Sequence, residues 1–168
     1  MLRYLIRKYR QKGVLLDTNL LLAYLIGNMN PRYLATCHAT TRFFGTDDFP
    51  LLALFLRKFN RIITTPHVLT EVSNLAGHRL PDDLHREFRT MFRFAIGKLI
   101  ERSKPSRSVS AQNEFLRFGL TDAAISVIAP GRFLVLTDDL PLYGLLHKRG
   151  LDVVNFNHVR AEVWQCQP

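Results

Sequence analysis

Apolar residues along this chain fall into short continuous runs that alternate with longer stretches in which they recur every three or four positions. The short runs predict four β-strands, at residues 14–16, 61–64, 133–136 and 152–156. The longer stretches predict helices, because that spacing places apolar side chains on one helix face. Strands that alternate with helices predict a mostly parallel central sheet covered on both faces. We therefore expect an α/β fold, a three-layer α/β/α sandwich, formed as one domain over residues 1–168.

Capping residues and helix breakers predict where the helices begin and end. A helix over 20–26 is expected to end at Gly27-Asn28, and another begins at Pro66 after Thr65. A longer helix is expected over 82–102, and Thr121 is expected to cap the next one. Residues 141–149 predict a last helix, which Gly150 ends.

Two further segments carry a helical pattern. Residues 1–12 have apolar positions at helical spacing with basic residues between them, which predicts a basic amphipathic helix whose apolar side packs on the domain. Residues 28–60 include a helical pattern that follows Pro50. A lid, a partner surface and simple packing all remain open as the role of this second segment.

The charge balance points to polyanions. The chain has 23 Lys and Arg against 14 Asp and Glu, a formal net charge of +9. Such a charge attracts nucleic acid, although many basic proteins bind nothing in particular. Cys37 and Cys166 lie far apart and lack zinc-ligand spacing, and no apolar run approaches a membrane span. We expect no membrane association and a cytoplasmic location.

Acidic residues recur near the predicted carboxyl ends of the strands. Asp17 follows the first strand, Glu71 lies in the helix after the second, Asp122 lies near a helix start, and Asp138-Asp139 follow the third strand. Each aspartate also has an ordinary interpretation as a helix cap, and Glu71 as a solvated residue. Ligands of open parallel sheets bind at the carboxyl ends of the strands, so these side chains are expected to converge there.

Convergent carboxylates need counter-charge. Each close pair would repel by about 4 kcal/mol at an effective dielectric constant of 20. Mg²⁺ or Mn²⁺ would supply that charge, and Mg²⁺ prefers oxygen ligands and leaves positions open for phosphate oxygens. Such an ion polarises a phosphate and makes a nucleophile of bound water, which is the chemistry of phosphodiester hydrolysis.

The sequence resembles the PIN-domain nucleases, including the VapC-type toxin ribonucleases, over roughly residues 14–156. The resemblance rests on fragments in the family's order: Val14-Leu15-Leu16-Asp17-Thr18-Asn19, Pro66-His67-Val68-Leu69-Thr70-Glu71-Val72, Gly119-Leu120-Thr121-Asp122-Ala123-Ala124-Ile125, Leu136-Thr137-Asp138-Asp139 and Gly150-Leu151-Asp152-Val153-Val154. It implies a PIN-like sandwich, metal-dependent RNA cleavage, an antitoxin protein as partner and a homodimer.

The resemblance also implies roles for single residues. Asp17 would bind the metal, Glu71 and Asp122 would complete the site with the last acidic turn, and Asn19 and Thr137 would orient it. Asp139 fits the family's threonine, any residue, aspartate pattern, while Asp138 occupies the variable place. Which of these two aspartates faces the metal stays open.

Other residues have competing interpretations. Arg102, Lys104 and Arg107 would lie along a phosphate path or be merely solvated. Phe88, Phe92 and Phe94, with Met91 and Ile96, have a spacing that favours core packing over base stacking. A non-catalytic PIN-like module that binds RNA or a protein is the alternative to the nuclease.

Overall fold

The computed structural model describes residues 1–36 and 44–165, and the side chains of residues 1–35 and 44–161. In these ranges five strands form one parallel sheet. They are β1 (Val14–Leu16), β2 (Ile62–Thr64), β3 (Ile100–Glu101), β4 (Leu134–Thr137) and β5 (Val153–Asn155), in the spatial order β3-β2-β1-β4-β5. The expected α/β class with a parallel central sheet is confirmed. Cys37 and Cys166 lie outside the described residues.

Helices cover this sheet. They are α1 (Leu2–Tyr9), α2 (Thr18–Met29), α3 (Pro31–Thr36), α4 (Asp48–Leu56), α5 (Pro66–Arg79), α6 (His85–Ile96), α7 (Ser106–Ser110), α8 (Phe115–Ile128), α9 (Leu140–Lys148) and α10 (Phe156–Gln165), with a short 3-10 turn at Asp82–Leu84. Strand β1 is buried along its whole length between β2 and β4, and its alignment of Leu16 with Leu136 brings the ends of β1 and β4 together. Residues that follow these two strands therefore share one edge.

The predicted helix over 82–102 is wrong at both ends. The structure has a 3-10 turn at Asp82–Leu84, α6 ends at Ile96, and Ile100 pairs with Ile63 in an edge strand that the sequence reading missed. Gly97 follows the helix as its C-terminal cap. A strand of two residues is too short to show an alternating pattern, so periodicity could not reveal β3.

Gly27 does not end α2, which continues to Met29. A Cβ atom at Gly27 would lie 2.1 Å from Cδ2 of Phe49, so this glycine permits the close approach of α4. Leu34, Leu52, Phe55 and Leu56 are buried in the core. The described parts of segment 28–60 therefore pack against the core.

Helix α1 packs through Leu5 and Tyr9, as its amphipathic pattern predicts, although it ends at Tyr9 rather than near residue 12. Lys8 Nζ and the Tyr9 hydroxyl both donate to Oδ2 of Asp152, at 2.6 and 2.7 Å. These bonds fasten α1 beside the start of β5. No helix in the described ranges is long and apolar enough to cross a membrane.

Candidate functional site

Asp17 lies at the centre of the sheet's carboxyl edge, directly after β1, and is only 5% exposed. Its Oδ1 accepts a hydrogen bond from the Leu20 amide at 2.9 Å, which caps α2. Its Oδ2 accepts from the Thr137 hydroxyl and from the Asp138 amide, the latter at 3.1 Å. Asp17 therefore caps a helix, as one interpretation of the sequence predicted, but the cap uses only one of its two carboxylate oxygens.

The turn after β4 separates its two aspartates. The Asp139 amide donates to Thr137 Oγ1 at 3.0 Å, and Asp139 Oδ1 accepts from the Leu142 amide at 2.7 Å, which caps α9. Asp139 is exposed, whereas Asp138 is half-buried. Within the described part of the chain, Oδ1 of Asp138 is buried and has no hydrogen-bond partner. Asp138 thus lies against Asp17, and Asp139 lies at the open side of the turn.

Asp17 and Asp138 affect each other's ionisation. Burial raises the pKa of Asp17 well above its usual value, and the charge of Asp138 raises it further, against the hydrogen bonds from Thr137 and the backbone. Burial also raises the pKa of Asp138, opposed by hydrogen bonding with Asp17 and Asn19. A buried and a half-buried carboxyl group in this arrangement favour a shared proton or a shared cation over two free negative charges.

Glu71 and Asp122 approach the same edge from two other helices. Thr18 Oγ1, in the first turn of α2, donates to Glu71 Oε2 at 2.8 Å and so joins α2 to α5. Burial raises the pKa of Asp122 to about 7, and the charges of Asp139 and then Glu71 contribute to that rise. Asp122 therefore lies within electrostatic reach of both Asp139 and Glu71. The structure therefore brings the predicted acidic residues into one electrostatic cluster.

The helical segment that carries Asp122 begins close to where the sequence predicted it. Residues 115–128 of α8 are two helices that meet at a kink at Gly119, with φ 78° and ψ −175°, so the second of them begins after this glycine. Thr121 lies inside the helix beyond this break, so its predicted role as the N-cap is wrong. Glycine reaches a positive φ without the steric cost that other residues incur, and here it re-aims the turn that presents Asp122.

The atoms of the acidic cluster are of the kind that binds divalent cations, but their positions do not form a metal-binding geometry. The side-chain atoms of the cluster that could bind an ion are carboxylate and hydroxyl oxygens, the ligands that Mg²⁺ and Mn²⁺ prefer. The buried Oδ1 of Asp138 accepts no hydrogen bond from the described residues. Among the described residues, no three His, Cys, Asp or Glu side chains are already arranged to hold a metal ion. Side chains at this edge would therefore have to adjust around an ion.

The three predicted basic residues lie at the same edge of the sheet and are exposed. The Arg102 amide donates to the Thr64 carbonyl at 2.9 Å, which continues the β2–β3 pairing beyond the strand ends. His67 Nε2 lies 3.3 Å from Ser106 Oγ, so the segment with Lys104 and Arg107 runs beside the start of α5. Glu71 follows His67 by about one helical turn.

The aromatic residues of α6 divide between two environments. Phe88 and Phe92 are buried, as predicted, and Met91 is half-buried against the core. Phe94 is 65% exposed and Ile96 is also exposed, so the core prediction is wrong for both. Phe94 lies under Lys98, whose Nζ is 4.0 Å from the ring centroid.

Two residues that touch the acidic cluster were given no role from the sequence. Thr18 lies inside the Asp17-Thr18-Asn19 fragment, where its spacing gives no hint of a bond to Glu71. Asn157 Nδ2 donates to the Asp138 carbonyl at 3.0 Å. Its position just beyond β5, at the carboxyl edge of the sheet, was the available signal.

Comparison with known proteins adds no identity to this geometry. No family model, curated protein or solved structure matches the chain. The functional interpretation therefore rests on the sequence fragments and on the residues of the acidic edge.

Proposed function

We propose that this protein is an endoribonuclease that uses Mg²⁺ or Mn²⁺ to hydrolyse RNA phosphodiester bonds. One observation carries the proposal: burial, and after it the charges of neighbouring carboxylates, raises the pKa of Asp17, Asp122 and Asp138 at a single edge of the sheet. Carboxyl groups with raised pKa values that gather at one edge are typical of functional sites.

The metal ligands in this proposal are carboxylates that sequence and structure both bring to the edge. The proposed ligands are Asp17, Glu71, Asp122, Asp138 and Asp139. A hydrogen bond with Asn19 orients Asp138, and a hydrogen bond from Thr137 orients Asp17. A bound divalent ion would neutralise the cluster, polarise the scissile phosphate and lower the pKa of an attacking water.

The protein's own side chains contribute orientation and charge. Thr18 donates a hydrogen bond to one Glu71 oxygen, and in this proposal the other oxygen faces the metal ion. The exposed segment with Arg102, Lys104 and Arg107 contacts the RNA phosphates on the β3 side in this proposal, and the net charge of +9 draws the polyanion in.

The biological setting that the PIN-domain resemblance suggests is part of the same proposal. The protein acts in the cytoplasm as the toxin of a type II toxin-antitoxin pair, as a homodimer that an antitoxin protein inhibits. Its support is the order of the five sequence fragments along the chain.

A second candidate, a PIN-like module that binds RNA or protein without cutting, has its own support. Asp17 already accepts three hydrogen bonds and Asp139 caps α9, so both have structural duties. Retention of RNA binding without any metal-dependent cleavage would favour this candidate.

Cleavage of end-labelled RNA tests the proposal. Purified protein should cut single-stranded or hairpin RNA with Mg²⁺ or Mn²⁺ and stop when EDTA is added. Asp17→Asn should be inactive, because asparagine keeps the α2 cap but removes the charge. Asp83→Asn, at an exposed acidic residue of the 3-10 turn, is the matched control and should remain active. Intact RNA with the parent protein would overturn the proposal, and preferential cutting of DNA would correct its substrate.

A further inference from the structure

Both backbone polar groups of Asp138 are held from outside its own turn. The amide donates to Asp17 Oδ2 at 3.1 Å, and the carbonyl accepts from Asn157 Nδ2 at 3.0 Å. The side chain itself has a buried Oδ1 without a partner among the described residues. The backbone that carries this carboxylate therefore helps to set its direction, together with the side-chain hydrogen bonds to Asp17 and Asn19.

Asn157 is itself oriented by Arg160. Arg160 Nη1 donates to Asn157 Oδ1 at 3.1 Å. A guanidinium can only donate, so the amide oxygen of Asn157 must face Arg160 and the amide nitrogen must face Asp138. The opposite orientation of the amide would place its oxygen against the Asp138 carbonyl oxygen.

Arg160 is anchored in turn by a buried charge. Its Nε lies 2.8 Å from Oδ1 of Asp48, whose side chain is 4% exposed, in an ion pair whose angles fall outside those of a hydrogen bond. Asp48 Oδ2 accepts from the Gly45 amide at 2.6 Å. A polar chain thus runs from the start of α4 through α10 to the acidic turn.

The helix start at α10 does not explain these contacts. Asn155 Oδ1 accepts a hydrogen bond from the Asn157 amide at 2.9 Å in the first turn of α10. This bond uses the backbone of Asn157 and not its side chain. The Asn157 side chain is left to contact Asp138 and Arg160, at the turn where Asp138 lies against Asp17.

We propose that Asn157 is a positioning residue, oriented by Arg160 and Asp48, that fixes the Asp138 turn so that its carboxylate faces Asp17. The proposal rests on the proposed function for its catalytic consequence, although the positioning itself does not depend on metal. Outer residues that orient ligands in this way commonly change metal affinity or activity by 10- to 100-fold.

Asn157→Asp is the informative variant. It keeps the acceptor for Arg160 but removes the donor to the Asp138 carbonyl and places an oxygen there instead. Asn60→Asp is the matched control, since Asn60 Nδ2 donates to Gln11 at 2.7 Å before β2, at the opposite end of the sheet. Arg160→Lys tests the next link, and Asn157→Ala replaces Asn157→Asp if that variant does not fold.

Hydrogen exchange of EDTA-treated protein tests the positioning directly. In Asn157→Asp, the amides of Asp138 and Asp139 should exchange about three- to tenfold faster, as expected from loss of one hydrogen bond, while the Val135 amide in β4 is unchanged. Arg160→Lys should act in the same direction and add little to Asn157→Asp, because both act through one chain of contacts. Unchanged exchange at Asp138, or equal effects in Asn60→Asp, would overturn the proposal.

Calorimetric titration with Mn²⁺ tests the consequence. Asn157→Ala, which removes the donor without adding a negative charge beside the acidic cluster, should bind Mn²⁺ about tenfold more weakly than the parent protein, with Asn60→Ala unaffected. Equal Mn²⁺ affinity beside faster exchange would overturn the link to the site. A parent protein that neither binds Mn²⁺ nor cuts RNA would overturn the proposed function, while the exchange measurement would still decide the positioning.

Discussion

Thr18 Oγ1 donates a hydrogen bond to Glu71 Oε2 at 2.8 Å, across 53 positions of sequence. Thr18 is buried in the first turn of α2, one residue after Asp17. The bond therefore fixes Glu71 of α5 relative to Asp17, which follows β1. It makes the hydroxyl of Thr18 a contributor to the geometry of the cluster.

Removal of that hydroxyl should loosen Glu71. Thr18→Val keeps the shape of the side chain but leaves Glu71 Oε2 without its donor, which should cost about 1 kcal/mol of unfolding free energy and weaken Mn²⁺ binding several-fold. Thr18→Ser keeps the hydroxyl and should retain most of the affinity. Urea unfolding and Mn²⁺ titration measure the two effects, and equal Mn²⁺ affinity in both variants would contradict the assigned role.

Stability without metal should fall as pH rises. Asp122 has a folded pKa of about 7 against the usual 3.8, so between these values the folded chain keeps a proton that the unfolded chain has lost. The contribution of this group is therefore present at low pH and lost as pH rises toward 7, by at most about 4 kcal/mol. The raised pKa of Asp17 acts in the same direction.

Urea unfolding in EDTA at pH 5 and pH 8 measures this slope. Asp122→Asn should be less sensitive to pH than the parent protein, and Asp83→Asn should behave like the parent. A parent protein that is more stable at pH 8 than at pH 5 would show that burial and the neighbouring charges do not raise these pKa values as the structure indicates.

The exposed basic segment should contribute to RNA affinity through phosphate contacts. Replacement of Arg102, Lys104 and Arg107 by alanine should weaken binding to single-stranded RNA and reduce the slope of log affinity against log salt by about 2, since each phosphate contact contributes about 0.7. Replacement of Arg57, Lys58 and Arg61 by alanine removes the same three charges from exposed positions before β2 and is the matched control. Fluorescence anisotropy over a salt series measures both, and equal losses would indicate attraction by net charge alone.

Packing of α4 on α2 should depend on the absence of a side chain at Gly27. Gly27→Ala would place Cβ 2.1 Å from the ring of Phe49, and the displacement should cost about 1 to 3 kcal/mol. Gly144→Ala, in α9 with no atom within 4 Å of the added Cβ, should be neutral or stabilising because alanine favours helix. Thermal unfolding compares the two, and a Gly27→Ala variant as stable as the parent would contradict this packing.

The sequence predicted those features that depend on local pattern. Four strands have apolar runs or β-branched residues that identify them, and Asp17 and Asp138 follow two strands whose ends must meet in a parallel sheet. Thr65 also caps α5 as expected from the proline that follows it, with its side chain accepting from the Val68 amide. Convergence of the acidic residues was predictable for this reason.

Other features depend on contacts that no local pattern encodes. Strand β3 has two residues, and its identity comes from pairing with β2. The backbone path of the turn after β4 decides that Asp138 lies against Asp17 and that Asp139 caps α9. Asn157 meets Asp138 only because Thr137 aligns with Asn155 in the β4–β5 pair. Tertiary geometry was needed to find each of these.

Calorimetric titration of the EDTA-stripped protein with Mn²⁺ tests most directly whether the acidic edge is a cation site. The parent protein should bind the ion, and Asp17→Asn and Asp122→Asn should each bind at least about tenfold more weakly while Asp83→Asn binds normally. No heat of binding in a folded parent protein, or equal affinity in all four proteins, would contradict the account.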